Sequence, residues 1–404
     1  MVNVLGKNVY INTNTFKNNK TVVNVDLCNL PFVNNSMANA FDSCINLKII
    51  NNINQNVTNM TGAFYGCTSL ENAPVIPNSV TYMGSTFMGC RSLVNAPVIP
   101  NSVTDIYRLF CYCTNLVNAP VIPNSVHLMF DVFTECNNLV NAPVIPNSVT
   151  YLGCTFDRCN SLVNAPSIPN SVTDMIGTFR FCSNLVNAPS IPDSVTNMYD
   201  AFRGCSKLSN ISKISNNVID LCGTFTNCFE LVNAPSIPDS VTNMAYIFYG
   251  CSNLANVSNI SNNVTNLYAA FPRCNNLISV PIIPNSVLDI RYMFSESTNI
   301  SGNIYIQSEN ITNAINCFYG TSLTKNVYIP FSYDNGVNTL TYNSFINAGY
   351  DEIGTTNGVY LIDIENCASD NWEYKTNVSN RTATLTKYIG TNTYVDVPSY
   401  VKGF

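Results

Sequence analysis

The sequence predicts an α/β repeat solenoid: a stack of about thirteen coils followed by a small β-rich C-terminal module. A phenylalanine recurs every 23 residues from Phe41 to Phe294. A cysteine follows three residues after each of the first eleven phenylalanines, and a leucine follows three residues after each of those cysteines. Because such a fixed period is the signature of stacked structural units, each copy of the repeat is predicted to form one coil.

The segment around each phenylalanine is predicted to be helical. Ile106, Phe110, Cys113 and Leu116 follow one another at spacings of four, three and three residues, which is the period of one helical face. The pattern therefore predicts a short helix over residues 106–113 that lies across the stack.

Two other segments of each coil are predicted to be extended. They are the segment around Leu93 and the Ser-Val-Thr segment at 102–104, and each can pair with its counterpart one coil away. Pro97 and Pro100 lack the N–H that a strand ladder needs, so regular pairing is predicted to stop near them. Because a single coil buries too little apolar surface to offset the entropy of ordering it, the coils are expected to need their neighbours.

The period divides the chain into three predicted segments. Residues 1–24 are predicted to be an N-terminal cap that covers the open end of the stack, and residues 25–350 are predicted to be the solenoid. From about residue 351 the period is lost, and alternating residues at 358–364 and 383–388 are typical of strands. Residues 351–404 are therefore predicted to form a β-rich C-terminal module.

The register of the repeat slips by one residue near its end: Phe318 follows Phe294 by 24 residues instead of 23. The strand-like sequence Asn-Ile-Tyr-Ile at 303–306 nevertheless returns as Asn-Val-Tyr-Ile at 326–329, again after one full period. The stack is therefore predicted to continue past the slip.

The repeat resembles the BspA-like, or Treponema-type, leucine-rich repeat, whose unit is similar to L-x-x-I-x-L-P-x-x-V-x-x-I-G-x-x-A-F-x-x-C. The resemblance covers about residues 25–324, and in one copy the matching positions are Leu93, Ala96, Ile99, Pro100, Val103, Ile106, Phe110 and Cys113. This chain has one extra residue before its Ile-Pro pair and one fewer before the phenylalanine. The resemblance implies a leucine-rich-repeat stack with a parallel strand ladder.

The composition and charge of the chain argue against some classes of partner. Charged residues make up only 10% of the chain, the net charge is -6, and no basic run occurs, which argues against nucleic acid and anionic membranes as partners. No apolar run approaches the ~18 residues that span a bilayer, so no membrane insertion is expected. No secretory leader is visible at Met1, so the chain is expected to stay in a cytoplasm, to leave by lysis, or to have lost a leader.

Seventeen cysteines raise the alternatives of disulfides, a metal site or buried thiols. Stacked side chains point in parallel and eleven is an odd number, so full pairing along the ladder is excluded, and buried thiols are the preferred interpretation. His127 is the only histidine and no C-x-x-C pair exists, so no metal or other cofactor is expected. No nucleophile motif or phosphate loop occurs. Aspartates such as Asp105 and Asp174 share one column of the repeat, but they lie too far apart along the stack to act together. An enzyme is not expected.

Surface positions near the predicted helix differ between copies and are rich in tyrosine and arginine. These residue types dominate recognition hot spots, so we hypothesise a binding stripe; the alternative is that the rings cover neighbouring coils. Its members include Tyr82, Tyr107, Arg108, Tyr112, Phe130, Tyr151, Arg158, Arg180, Phe181, Tyr199, Arg203, Tyr246, Tyr249, Tyr268, Arg273, Arg291 and Tyr292.

Three functional hypotheses remain open at this stage. The first is a non-enzymatic virion protein, such as a phage tail fibre or receptor-binding protein that contacts a protein or glycan on a cell surface and other virion proteins. By analogy with such fibres, it would be a homo-oligomer, with a trimer as the expected form. The second is a BspA-like bacterial adhesin, on the cell surface or secreted, that binds host protein or glycan. The third is an intracellular scaffold.

Overall fold

The computed structural model describes residues 10–211, 213–302, 304–308 and 310–321, and beyond them four strands. Contacts divide the chain into two compact units, which are described separately. The first unit is Met1–Val218 with Thr224–Phe229, and the second is Ile219–Gly223 with Glu230–Phe404.

Regular strands are few and short. In the first unit, β1 (Asn24–Asp26) pairs in parallel with β2 (Ile49–Asn51). In the second unit, one parallel sheet has the order β3 (Ile304–Tyr305), β4 (Val327–Pro330) and β5 (Tyr360–Ile362). A separate antiparallel pair joins β6 (Trp372–Asn377) to β7 (Thr382–Tyr388). In the parallel sheet of the second unit Ile304 lies opposite Val327, which confirms the predicted return of this strand one period later.

The predicted helix over residues 106–113 is wrong, because this segment forms tandem turns. Neighbouring amides alternate between two acceptors: the N–H of Leu109 donates to the Ile106 carbonyl of its own coil at 3.1 Å, whereas the N–H of Phe110 donates to the Val132 carbonyl of the next coil at 2.9 Å. Half of the amides of this segment thus join coils together, which a helix would not allow.

The α part of the predicted α/β class is therefore incorrect for the part of the chain that the structure describes. The one helix described there is a single 3₁₀ turn at Val33–Asn35. The repeated leucine-rich stack itself is observed, with isolated parallel bridges and tandem turns recurring from coil to coil in the described residues.

The two segments predicted to be extended do pair with their counterparts one coil away. Asn95 bridges Asn118 in parallel, and Tyr82 bridges Asp105 in parallel, in each case between equivalent positions of neighbouring coils. The pairing is reduced to isolated bridges, and no strand forms around Pro97, as the missing N–H groups predict.

The phenylalanines that recur with the repeat, called here the ladder phenylalanines, form the centre of the core. In the first unit, from Phe41 to Phe225, their rings are fully buried and stack with centroids 5.5–5.9 Å apart. In the second unit the stack continues across the register slip, with Phe294 5.7 Å from Phe318. Equivalent side chains therefore lie in columns, as predicted.

The ladder cysteines bury their thiols beside backbone carbonyls. Sγ of Cys113 donates to the Phe87 carbonyl at 3.0 Å, and Sγ of Cys136 donates to the Phe110 carbonyl at 3.1 Å. Burial raises the pKa of the Cys113 thiol well above its ordinary value, so the thiol stays protonated as a donor. None of the sixteen described cysteines forms a disulfide, and their reduced state in solution stays a prediction.

The aspartate column noted in the sequence has a structural role. The side chain of Asp105 accepts the Tyr107 N–H at 3.0 Å, and the side chain of Asp174 accepts the Ile176 N–H at 2.9 Å. A side-chain oxygen two residues before an amide closes an Asx turn, so these aspartates start the tandem-turn segments of their own coils.

The segment that precedes the first ladder phenylalanine stacks in the same way as a coil. Phe16 lies 4.8 Å from Phe41 with the rings nearly parallel, and Ile11 bridges Phe32 in parallel. Residues 1–9 and most of 331–404 lie outside the described residues. The coil count and the boundaries at 1–24, 25–350 and 351–404 therefore stay predictions.

Candidate functional site

The tandem turns present one continuous side-chain surface in each unit, called here the turn face. It consists of the residues from three before to two after each ladder phenylalanine. Most of the candidate stripe lies on it: the positions directly flanking Phe110, for example, include Tyr107, Arg108 and Tyr112, and Tyr107 and Tyr112 are exposed.

Two columns of the turn face have left-handed backbone, at the positions two residues before and two residues after each ladder phenylalanine. Glycine fills this conformation without strain and occurs there in several coils, as at Gly89 with φ 75° and Gly204 with φ 74°. Other coils place large side chains at the same positions: Arg108 (φ 54°), Tyr112 (φ 61°), Arg158 (φ 59°), Phe181 (φ 56°), Tyr246 (φ 55°), Arg273 (φ 57°) and Tyr292 (φ 54°). Each such residue costs about 1–2 kcal/mol relative to glycine.

Three aromatic rings stack in the first unit: Tyr107 and Phe130 on the turn face, and Tyr151 in the column whose residues bridge neighbouring coils. Tyr107 and Phe130 are nearly parallel with centroids 5.5 Å apart, and Phe130 lies 5.9 Å from Tyr151. The guanidinium of Arg108 lies 4.8 Å from the Tyr107 ring centroid. Tyr107 keeps 39% of its surface exposed, so the stack covers its neighbours and still presents ring surface to solvent.

Ion pairs run between the coils beside these rings. Arg108 contacts Asp131 at 2.9 Å, Arg158 contacts Glu135 at 3.3 Å, and Arg180 contacts Asp157 at 2.7 Å, in each case between neighbouring coils. Asp157 is buried and accepts two hydrogen bonds from Arg180, which raises the pKa of that guanidinium. These pairs hold the arginines in fixed positions rather than leaving them mobile in solvent.

Arg203 pairs within its own coil. Its guanidinium contacts Asp200 at 3.4 Å. Burial raises the pKa of Asp200 above its ordinary value, while the charge of Arg203 opposes that shift.

The turn face of the second unit gathers tyrosines. Tyr268 meets Tyr246 edge-on at 5.0 Å and Tyr292 edge-on at 5.9 Å. The guanidinium of Arg291 lies 4.8 Å from the Tyr268 ring centroid and is held by Asp289 at 2.5 Å. The structure thus brings three other sequence-predicted residues together around Tyr268.

Two predicted residues lie apart from these groups. Tyr82 is half exposed in the bridging column, beside Asn59 and Asp105. Tyr199 is exposed in the column of Phe130, but three coils further on, with Gly153 and Ile176 at the positions between them. The stripe residues therefore form one cluster within each unit, with single members around them.

The sequence interpretation missed a second exposed surface in the first unit. Val75, Val98, Val121 and Val144 occupy one column and are 82–87% exposed. The repeated Ala-Pro-Val-Ile-Pro sequence gave a signal, because in an extended segment Val98 points away from its buried neighbour Ile99. The acidic partners of the arginines, such as Asp131, were missed too.

Some kinds of site are not found within the described ranges. No group of three metal-binding side chains lies together there. No described helix is long and apolar enough to cross a bilayer.

Substituting Tyr112 tests the strain of the left-handed columns. Tyr112→Gly and Tyr112→Ala remove the same ring, but only glycine adopts φ 61° without strain. We expect the glycine variant to be more stable than the alanine variant by about 1 kcal/mol, measured by equilibrium unfolding in urea. At Tyr107, whose φ is not left-handed, we expect the opposite order. Higher stability of the alanine variant at both positions would contradict the assignment of strain.

Known proteins resemble this architecture. The family model described as BspA type leucine rich repeat region (6 copies) matches residues 2–117, 127–246 and 222–350. A leucine-rich repeat protein of Bacteroides ovatus is 23% identical, with 87% of this chain and 88% of that chain covered and a TM-score of 0.66, a likeness of fold.

Two further solved structures are similar at lower TM-scores. A leucine rich cell surface protein of Faecalibacterium prausnitzii is 20% identical over 93% of this chain and 87% of that one, with a TM-score of 0.40. A leucine-rich repeat protein of T. pallidum is 28% identical over 47% and 79%, with a TM-score of 0.35. No curated protein matches. Since the family model covers well over half of the sequence, the chain belongs to the BspA type leucine-rich repeat family.

Proposed function

We propose that this chain is a non-enzymatic recognition protein whose turn face binds a protein or glycan on a cell surface. The observation that supports it most strongly is the use of tyrosine, phenylalanine and arginine at left-handed positions, where other coils carry glycine. Strain of this kind persists where a side chain is needed for another purpose, and Tyr and Arg are the residues of interaction hot spots.

The family match favours one of the settings that the sequence leaves open. Membership of the BspA type family supports a bacterial surface adhesin, the second of the sequence-based hypotheses. Nothing in the comparisons supports a virion or tail-fibre role, nor other virion proteins as partners. A location on the bacterial surface and a homo-oligomeric state, trimer included, are parts of the proposal that native mass measurement and surface labelling can test.

Binding to cells tests the role of the turn face. The labelled full chain would be applied to fixed epithelial and bacterial cells, and its retention measured for a variant carrying Tyr107→Ala and Phe130→Ala. A stacked pair that acts as a hot spot contributes about 2 kcal/mol of binding free energy. Its loss is therefore expected to lower the affinity roughly thirtyfold.

The matched control is Val121→Ala, which trims an apolar side chain that lies outside the turn face and is more exposed than Tyr107. We expect it to bind as the unmodified chain does. If Val121→Ala lost retention and the Tyr107 and Phe130 variant kept it, the partner would use the valine column and the assignment to the turn face would be wrong.

A further inference from the structure

The turn face of the second unit contains a depression between tyrosines. At the position two residues before the ladder phenylalanine, successive coils carry Tyr246, Ala269 and Tyr292. At the position one residue after it, Pro272 and Ser295 lie between Tyr249 and Tyr319. Small residues in the middle coils thus leave a cavity of about 290 Å³, which is close to the lower end of the range for small-ligand sites.

Tyrosine rings that pack against one another form the walls of this cavity. Tyr268 stands edge-on to both Tyr246 and Tyr292, at an interplanar angle of 73° in each case. Burial, reinforced by a hydrogen bond with Tyr268, raises the pKa of Tyr246 to about 12, so its hydroxyl keeps its proton at neutral pH. The walls therefore present aromatic surface together with neutral hydroxyl groups.

An ion pair lies in the same wall. Nε of Arg273 contacts a carboxylate oxygen of Glu296 at 2.8 Å, and both side chains remain about half exposed. A guanidinium and a carboxylate at one place offer fixed donors and acceptors side by side, which suits a ligand that carries neighbouring hydroxyl groups.

Guanidinium groups already lie against aromatic rings around the cavity. The guanidinium of Arg291 lies 4.8 Å from the Tyr268 ring, and that of Arg273 lies 5.9 Å from the Tyr249 ring. These groups already occupy the ring positions that a quaternary ammonium group would take. A neutral ligand with apolar C–H faces and polar edges meets no such conflict.

We propose that this tyrosine cradle, formed by Tyr246, Tyr249, Tyr268, Tyr292 and Tyr319 with the Arg273–Glu296 pair, binds a neutral sugar residue of a surface glycan. The pyranose C–H face packs on a tyrosine ring, and its hydroxyl groups bond to the ion pair and the phenols. The inference rests on the proposed function, because it names the ligand class for one part of the turn face.

Titration calorimetry with defined oligosaccharides tests the cradle. The full chain would be titrated with cellohexaose, mannohexaose, chitohexaose and a neutral mucin O-glycan fraction. We expect at least one of them to bind, with an affinity that falls about tenfold or more in Tyr268→Ala and in Tyr292→Ala. Tyr292→Phe keeps the ring and is expected to stay within about threefold of the unmodified chain.

The control and the contrary outcomes separate this inference from the proposed function. Val121→Ala trims an exposed side chain outside the turn face and should leave oligosaccharide affinity unchanged. Equal losses in Val121→Ala and Tyr292→Ala, or no loss in Tyr292→Ala despite an unchanged melting curve, would overturn the cradle. Cell retention without any oligosaccharide binding would overturn the cradle alone, whereas absence of both would overturn the proposed function as well.

Discussion

Replacing Phe133 by alanine is expected to lower the free energy of unfolding by about 3–5 kcal/mol. Phe133 is fully buried, and its ring stacks at 5.7 Å on Phe110 and at 5.7 Å on Phe156. Truncation opens a cavity that neither coil can close, because both are held in place by hydrogen bonds to their neighbours. Equilibrium unfolding in urea, followed by circular dichroism, measures the loss.

Phe130→Ala is the matched control. Phe130 is the same residue type three positions away, and it also stacks on two rings, at 5.5 Å on Tyr107 and 5.9 Å on Tyr151. It lies half-buried on the turn face, so its truncation leaves a notch filled by water and should cost about 1 kcal/mol. Equal losses for Phe130 and Phe133 would contradict the division between the core and the turn face.

Deleting one whole coil is expected to harm the fold less than deleting half of one. Removing residues 118–140 joins Val117 to Asn141, which occupies the same place in its coil as Asn118. The columns then close over the gap, with Phe110 facing Phe156, and a cooperative unfolding transition should remain.

The control is a deletion of residues 118–129 only, which removes fewer residues but breaks the period of the repeat. It deletes Ile122, Val126 and Met129, which are buried and stabilise the stack by about 2 kcal/mol each. The shortened coil no longer reaches its neighbours, so we expect loss of the cooperative transition in a thermal melt. A half-coil deletion as stable as the whole-coil deletion would show that the sequence repeat is not the structural unit of the stack.

The sequence predicts the columns but not the conformation of the segment around each phenylalanine. Tandem turns bury Ile106, Phe110, Cys113 and Leu116 as completely as a helix would, so apolar spacing does not separate the two. A distinguishing signal was present: glycines recur two residues before and after the ladder phenylalanines, as at Gly62 and Gly66. Recurrent glycine disfavours helix and favours left-handed backbone.

Part of the candidate site was predictable from the sequence, because equivalent positions of successive coils lie in columns. Opposite charges one period apart in the sequence, such as Arg108 with Asp131 and Arg273 with Glu296, are neighbours once the columns are accepted, so these ion pairs follow from the sequence. The cavity of the second unit does not follow, because it depends on how the rings around Ala269 turn relative to one another. Whether a valine such as Val98 is exposed likewise depends on the packing of the whole coil.

A variant with glycine at four left-handed positions of the turn face, Arg108, Tyr112, Arg158 and Phe181, tests most directly whether these side chains are kept for recognition. Glycine relieves about 1–2 kcal/mol of strain at each position and removes only partly exposed contacts. The measurement is cell retention of this variant beside its melting temperature. We expect a melting temperature at or above that of the unmodified chain together with retention reduced about tenfold or more. Unchanged retention in a folded variant would contradict a binding role for the turn face.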